Sequence, residues 1–122
     1  MAENITDKLA AFGIDYADAM DRFGGNAALY ERLAMKYLDD TRFVGLVAAM
    51  AAHDYDEAYN QAHSLKGLAG NLSFARLYQA ASFVCEALRN GEPARAEGHL
   101  AEVREAHEQA VSAMEQLRDE RW

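Results

Sequence analysis

The sequence predicts an all-α protein, an antiparallel up-down four-helix bundle with short additional N-terminal helices. Three observations predict it. Only one proline interrupts the 122 residues. Alanine and leucine, which enter helices at little entropic cost, are abundant, and 51% of the residues are hydrophobic. Apolar positions recur every three or four residues, the period of a helix face. Turns of a few residues between the long periodic segments favour antiparallel neighbours. The length fits a single domain over residues 1–122, with short helices in 1–25 and the helical bundle over about 26–121.

Each element follows in turn. Ile5 to Phe12 forms a short amphipathic helix ended by Gly13, and Asp15 caps a second that stops at Gly24 and Gly25. Together they are expected to form a lid. Asn26 caps a longer helix with Leu29, Leu33, Tyr37 and Leu38 on one face, broken near Asp39 to Thr41. The next helix carries Phe43, Val44, Leu46, Val47 and Met50 as its apolar set. His53 and Asp54 end it and cap a helix from about Tyr55 to Leu72. Ser73 followed by Arg76 is a partial start signal for a helix with Phe74, Leu77, Tyr78, Ala81, Cys85 and Leu88 on its stripe, ended by Asn90 and Gly91. Pro93 suits a first helical position, and Leu100, Val103, His107, Ala110, Met114 and Leu117 then repeat along the last helix.

Charge narrows the function. Twelve Lys and Arg against twenty Asp and Glu leave a net charge of −8, which opposes binding to nucleic-acid phosphates or anionic membrane surfaces. No apolar run is long enough to span a membrane, and "MAENITDKLA" lacks the basic and apolar regions of a secretory signal, so a cytoplasmic protein is expected. Met1 and the absence of a linker suggest a stand-alone protein. The lone Cys85 allows no internal disulfide and lies on a buried stripe.

The stretch "AHSLKGLAGNL", Ala62 to Leu72, sits in the middle of a helix yet carries a histidine, a lysine and two glycines. With His63 set at zero and about 100° per residue, Ala58, Leu65, Leu68, Ala69 and Leu72 fall at about 140–240° and define the core face. Lys66, Gly67, Gly70 and Tyr59 all fall within about 60° of His63, on the opposite side. Each interior glycine costs a helix about 1 kcal/mol relative to alanine, so two of them on an outward face call for another reason. Bare turns beside an imidazole let another surface approach the ring, and a lysine one turn away can neutralise an anion placed on it. A neutral imidazole is a competent nitrogen nucleophile at pH 7 and needs no cofactor on this chain.

These residues, quoted as "HSLKG", resemble the signature of histidine-containing phosphotransfer (HPt) domains, in which a histidine is followed by lysine and glycine three and four positions later: His63, Lys66 and Gly67. The resemblance extends to "GIDYADAMDRFGGNAALYERLAMKYLDD" before the motif and "LSFARLYQAASFVCEAL" after it. It implies a four-helix bundle, His63 as phosphoacceptor and Lys66 as charge support. It further implies a carrier rather than an enzyme, exchanging phosphoryl groups with the phospho-aspartate of response-regulator receiver domains, of a hybrid sensor kinase or a downstream regulator, that supply the Mg²⁺. A monomer is expected, with Tyr59, Gly67 and Gly70 as docking residues. One departure stands out: Ser73 replaces a glycine common in the family about ten residues after the histidine.

Other readings are weaker. His63 as a plain surface histidine leaves the joint spacing unexplained. An interaction module that binds receiver or kinase domains without phosphotransfer is the alternative function. A histidine kinase would need an ATP-binding domain that 122 residues cannot hold. His107 falls on an apolar stripe and reads as a core or rim residue, while His99 and His107 lack the converging ligands of a metal site. His53, beside Asp54 and Asp56, reads as a solvated helix junction.

Overall fold

A computed structural model describes residues 4–119, in seven α-helices: α1 (Ile5–Ala10), α2 (Tyr16–Arg22), α3 (Ala27–Met35), α4 (Arg42–Ala51), α5 (Tyr55–Asn71), α6 (Ala75–Arg89) and α7 (Pro93–Arg118). A 3₁₀ turn over Lys36–Asp39 extends α3. The ends assigned to residues 1–3 and 120–122 in the sequence reading lie outside the described residues.

Local chemistry sets the helix starts. The side-chain oxygens of Asn4, Asp15, Asn26 and Asp54 each accept from the backbone N–H three residues on, at 2.9, 3.0, 3.0 and 3.2 Å, satisfying donors that the first helical turn leaves unpaired. Pro93 occupies the first turn of α7, as expected. α6 differs from the reading that Ser73 helps start it. Its N-cap is Phe74, which offers no side-chain bond. The N–H of Arg76 is instead satisfied by the carbonyl of Gly13 at 3.1 Å, and the N–H of Asp15 donates to the Ser73 carbonyl at 2.9 Å. The segment between α1 and α2 thus caps α6 through tertiary contact. Gly13 is needed there: its φ is +78°, and a Cβ would stand 2.6 Å from Cβ of Arg76.

Successive contacts along each helix pair run in opposite directions and establish antiparallel packing of α4 through α7. Arg42 reaches Ser64 while Gly45 meets Gln61, so α4 runs against α5. Lys66 and Gly70 lie against Tyr78 while Tyr59 shares a recess with Leu88 and Arg89, so α5 runs against α6. Arg76 bonds Gln109, and Phe83 stacks on His99, so α6 runs against α7. Phe43 stacked on His107 brings α4 back to α7 and closes the bundle.

The buried face of α5 is Ala58, Ala62, Leu65 and Ala69, followed by Leu72, and Leu68 is partly buried beside it. α3 meets the C-terminal end of α5 through Tyr30. Its most buried residues are Tyr30 and Ala34 rather than Leu29 and Leu33, because the Tyr30 ring packs edge-on to Tyr16 and Phe23 while its hydroxyl donates to the Leu72 carbonyl at 2.6 Å. That bond satisfies a backbone acceptor at the C-terminal end of α5. Two apolar assignments are corrected. Val44 is 64% exposed, since Phe43, Leu46 and Met50 already fill the side of α4 that meets the bundle. Tyr78 is 43% exposed, because it stands at the rim of the α6 stripe, about 100° from Leu77.

Candidate functional site

α5 presents His63, Ser64 and Gly67 to solvent, with Lys66 and Gly70 half-buried beside them. The Tyr59 ring lies almost parallel to that of His63, with centroids 5.7 Å apart and planes 15° apart. Among the described residues, neither ring nitrogen of His63 has a hydrogen-bond partner within the chain.

His63 borders an open depression of about 510 Å³. It is lined by Lys66, Gly67, Gly70 and Asn71 of α5, Tyr78 of α6, Asp15, Asp18 and Arg22 at α2, and Ser73. The sequence reading brought His63, Lys66, Gly67 and Gly70 to one place, and the structure does the same. Tyr59 flanks His63 from the preceding turn and lies in a separate recess with Tyr55 and Arg89.

The two glycines have different surroundings. A Cβ on Gly67 would meet no atom of this chain within 4 Å. At Gly70 it would stand 3.2 and 3.3 Å from Cδ2 and Cε2 of Tyr78. Gly70 is therefore a seat for the Tyr78 ring, while Gly67 is bare helix facing outward.

Tyr78, Asp18 and Arg22 are the lining residues that sequence reasoning missed. The angular position of Tyr78 at the edge of its stripe was the available signal; nothing local places α2 beside α5. Lys66 Nζ sits over the Tyr78 ring, 5.8 Å from its centroid. In the same lining, Arg22 Nε donates to Asp18 Oδ2 at 2.8 Å and the Ser73 hydroxyl donates to the same oxygen at 2.7 Å. The bonds from Arg22 first, and from Ser73 second, hold the Asp18 carboxyl below the usual carboxylate range.

At Ser73, where the sequence departs from the pattern it resembles, the backbone is left-handed. Its φ is +57°. The N–H of Ser73 bonds the Gly70 carbonyl at 3.2 Å and the N–H of Phe74 bonds the Ala69 carbonyl at 2.9 Å, the pattern of a helix end whose next residue is left-handed. Glycine adopts that conformation without strain. The serine compensates with its buried hydroxyl bond to α2.

The remaining candidates lie elsewhere. His107 is half-buried in the bundle, stacked on Phe43 at 4.3 Å and hydrogen-bonded through Nδ1 to the Tyr37 hydroxyl at 2.6 Å. His99 stacks on Phe83, with Glu102 at 3.4 Å, and His53 stacks on Tyr55. Cys85 is buried, and burial pushes its thiol pKa up. Among the described residues no group of three or more His, Cys, Asp and Glu is gathered as a metal ion requires, and no helix is long and apolar enough to cross a membrane.

Comparison with known families gives a match to the Hpt domain over residues 37–119, from the 3₁₀ turn through the end of α7. Comparisons with curated proteins and with solved structures give no match. The matched segment covers more than half of the 122 residues and contains the exposed "HSLKG" face with its whole four-helix scaffold. The chain therefore belongs to the Hpt domain family, whose members carry out histidine phosphotransfer in phosphorelays.

Proposed function

We propose that His63 is the phosphoacceptor, taking a phosphoryl group from the phospho-aspartate of one response-regulator receiver domain and giving it to another. A free ring nitrogen attacks phosphorus, the N–P bond forms, and the P–O bond to the aspartate breaks. The aspartate leaves as its carboxylate, and the other ring nitrogen keeps its proton. Lys66 neutralises part of the charge that arrives on the ring. Mg²⁺ and the acyl phosphate come from the receiver. This chain contributes the nucleophile and a surface for docking, as a cytoplasmic carrier.

The observation that carries the reading is an outward imidazole with no partner in the chain, beside helix backbone left bare at Gly67 and a lysine lining the same depression. Docking needs close approach of a second backbone, and an exposed glycine gives it at a cost of about 1 kcal/mol in helix propensity. Tyr59 offers an aromatic surface next to the ring.

The test is transfer from a phosphorylated receiver. The expected product is acid-labile, alkali-stable label on this chain, absent from His63→Gln. Label that persists in His63→Gln would place the acceptor elsewhere. Tight receiver binding with no label reaching this chain from any receiver tested would leave an interaction module instead.

A further inference from the structure

We propose that Tyr78 is a positioning residue that holds Lys66 for the phosphoryl group on His63, with Gly70 kept small to seat its ring. The inference rests on His63 being the acceptor and goes beyond it, since Tyr78 belongs to a different helix and is not part of the "HSLKG" face.

Lys66 and Gly70 are four residues apart and so lie one above the other on the same side of α5. The Tyr78 ring packs where Gly70 has no side chain, at the van der Waals limit a Cβ would violate. That brings the ring face beneath the lysine ammonium, 5.8 Å from centroid to Nζ, within the reach of a cation–π attraction. Tyr78 itself is 43% exposed, so its ring is only partly covered where it packs on α5.

The manner of holding matters more than its strength. A lysine stem has four rotatable bonds, and an unheld ammonium samples many positions. A carboxylate partner would orient it but neutralise it. Both arrangements occur in this depression: Arg22 is paired with Asp18, whereas among the described residues Lys66 has no carboxylate partner and rests on the aromatic face. A quadrupole directs the cation without supplying a compensating charge, so its positive charge stays available to an arriving dianion. The ring does this, not the hydroxyl, and phenylalanine should serve as well.

Phosphoramidate is a receiver-free probe. A ring nitrogen of His63 attacks its phosphorus, the N–P bond to the imidazole forms, the original P–N bond breaks, and ammonia leaves with its three protons. Rates of His63 labelling are compared in wild type, Tyr78→Phe, Tyr78→Leu, Lys66→Ala and the Lys66→Ala/Tyr78→Leu double variant. Tyr78→Phe should match wild type, and Tyr78→Leu should be about two- to fivefold slower. The double variant should be no slower than Lys66→Ala alone, because the tyrosine acts through the lysine. Proton NMR gives a readout independent of transfer. The Lys66 Hε signals should be shifted upfield by the ring in wild type and Tyr78→Phe, and the shift should vanish in Tyr78→Leu. If Tyr78→Leu does not fold, Gly70→Ala serves, since its Cβ displaces the ring, and it should slow labelling and reduce the same shift. Unchanged labelling in folded Tyr78→Leu, or an equal fold-loss with and without Lys66, overturns the positioning role while leaving His63 as acceptor. A wild-type protein that takes no label on His63 overturns the acceptor assignment and this inference with it.

Discussion

His63 on α5 and His107 on α7 are the same side chain in opposite circumstances. Both rings are stacked on an aromatic neighbour, Tyr59 at 5.7 Å and Phe43 at 4.3 Å. The difference is in the nitrogens. At His107, Nδ1 shares a 2.6 Å hydrogen bond with the Tyr37 hydroxyl, and Tyr37 stays protonated because burial raises its pKa far above the ordinary phenol value. Burial, opposed by the nearby Glu108 and Asp40, lowers the pKa of His107 itself. His63 has no such partner among the described residues and faces solvent beside a lysine and a bare turn. A histidine holds a fold together when its ring nitrogen is already engaged, and is open to chemistry when it is not.

The largest effect expected from breaking this contrast is complete. His63→Gln should abolish labelling by a phosphorylated receiver and leave the melting temperature within a degree or so of wild type, because an exposed side chain with no internal hydrogen bond contributes little to folding. His107→Ala should do the reverse. Labelling persists, while loss of the hydrogen-bond partner of the buried Tyr37 hydroxyl and of the stack on Phe43 destabilises the fold by about 2 kcal/mol, read as a lower urea midpoint. A His107→Ala protein as stable as wild type would show that the Tyr37 hydroxyl finds another partner.

The same contrast predicts a pH dependence with a definite sign. The folded pKa of His107 lies below the ordinary histidine value. Between that folded value and about 6.5, the unfolded state binds more protons than the folded one, so unfolding becomes easier as pH falls. The contribution of His107 is therefore fully present above about pH 6.5 and lost progressively below it. Urea midpoints measured from pH 7.5 down to 5 should fall in wild type and fall less in His107→Gln. Equal slopes would assign the acid sensitivity to other groups.

What the sequence made legible was local or confined to one helix. Asp15, Asn26 and Asp54 could be read as caps because each bonds an N–H only three residues away. The two sides of α5 follow from one angular calculation, and that calculation separates Leu65 and Ala69 from His63 and Gly67 without knowledge of any neighbour. Reading failed where a second element decides. Ser73 looks like the start of a helix, yet its hydroxyl bonds Asp18, 55 residues earlier in the chain. Tyr78 looks like core because it is aromatic and near the stripe, but the boundary of burial on α6 depends on where α5 ends its coverage. Val44 fails for the same reason on α4. The α2 residues that line the depression are likewise brought there by tertiary packing, so the sequence exposed the α5 lining of the candidate site but not the lining from α2 and α6.

The smallest effect separates the two glycines, and it sharpens the distinction between a surface kept open for a partner and one kept open for the fold. Alanine at Gly67 meets nothing in this chain, so Gly67→Ala should raise stability by about 0.5–1 kcal/mol through helix propensity. At Gly70 the same methyl would press on the Tyr78 ring at 3.2 Å, and the propensity gain should be offset, leaving Gly70→Ala close to wild type in stability. Function should not follow stability. If Gly67 is clearance for a docking receiver, the more stable Gly67→Ala protein should transfer phosphate about tenfold or more slowly, since a displacement of an ångström at a reacting centre has effects of that size. Its labelling by phosphoramidate, which needs no docking surface, should stay near the wild-type rate. A Gly67→Ala protein that is both more stable and equally fast with a receiver would show that the bare turn at Gly67 is not where the receiver makes its closest approach.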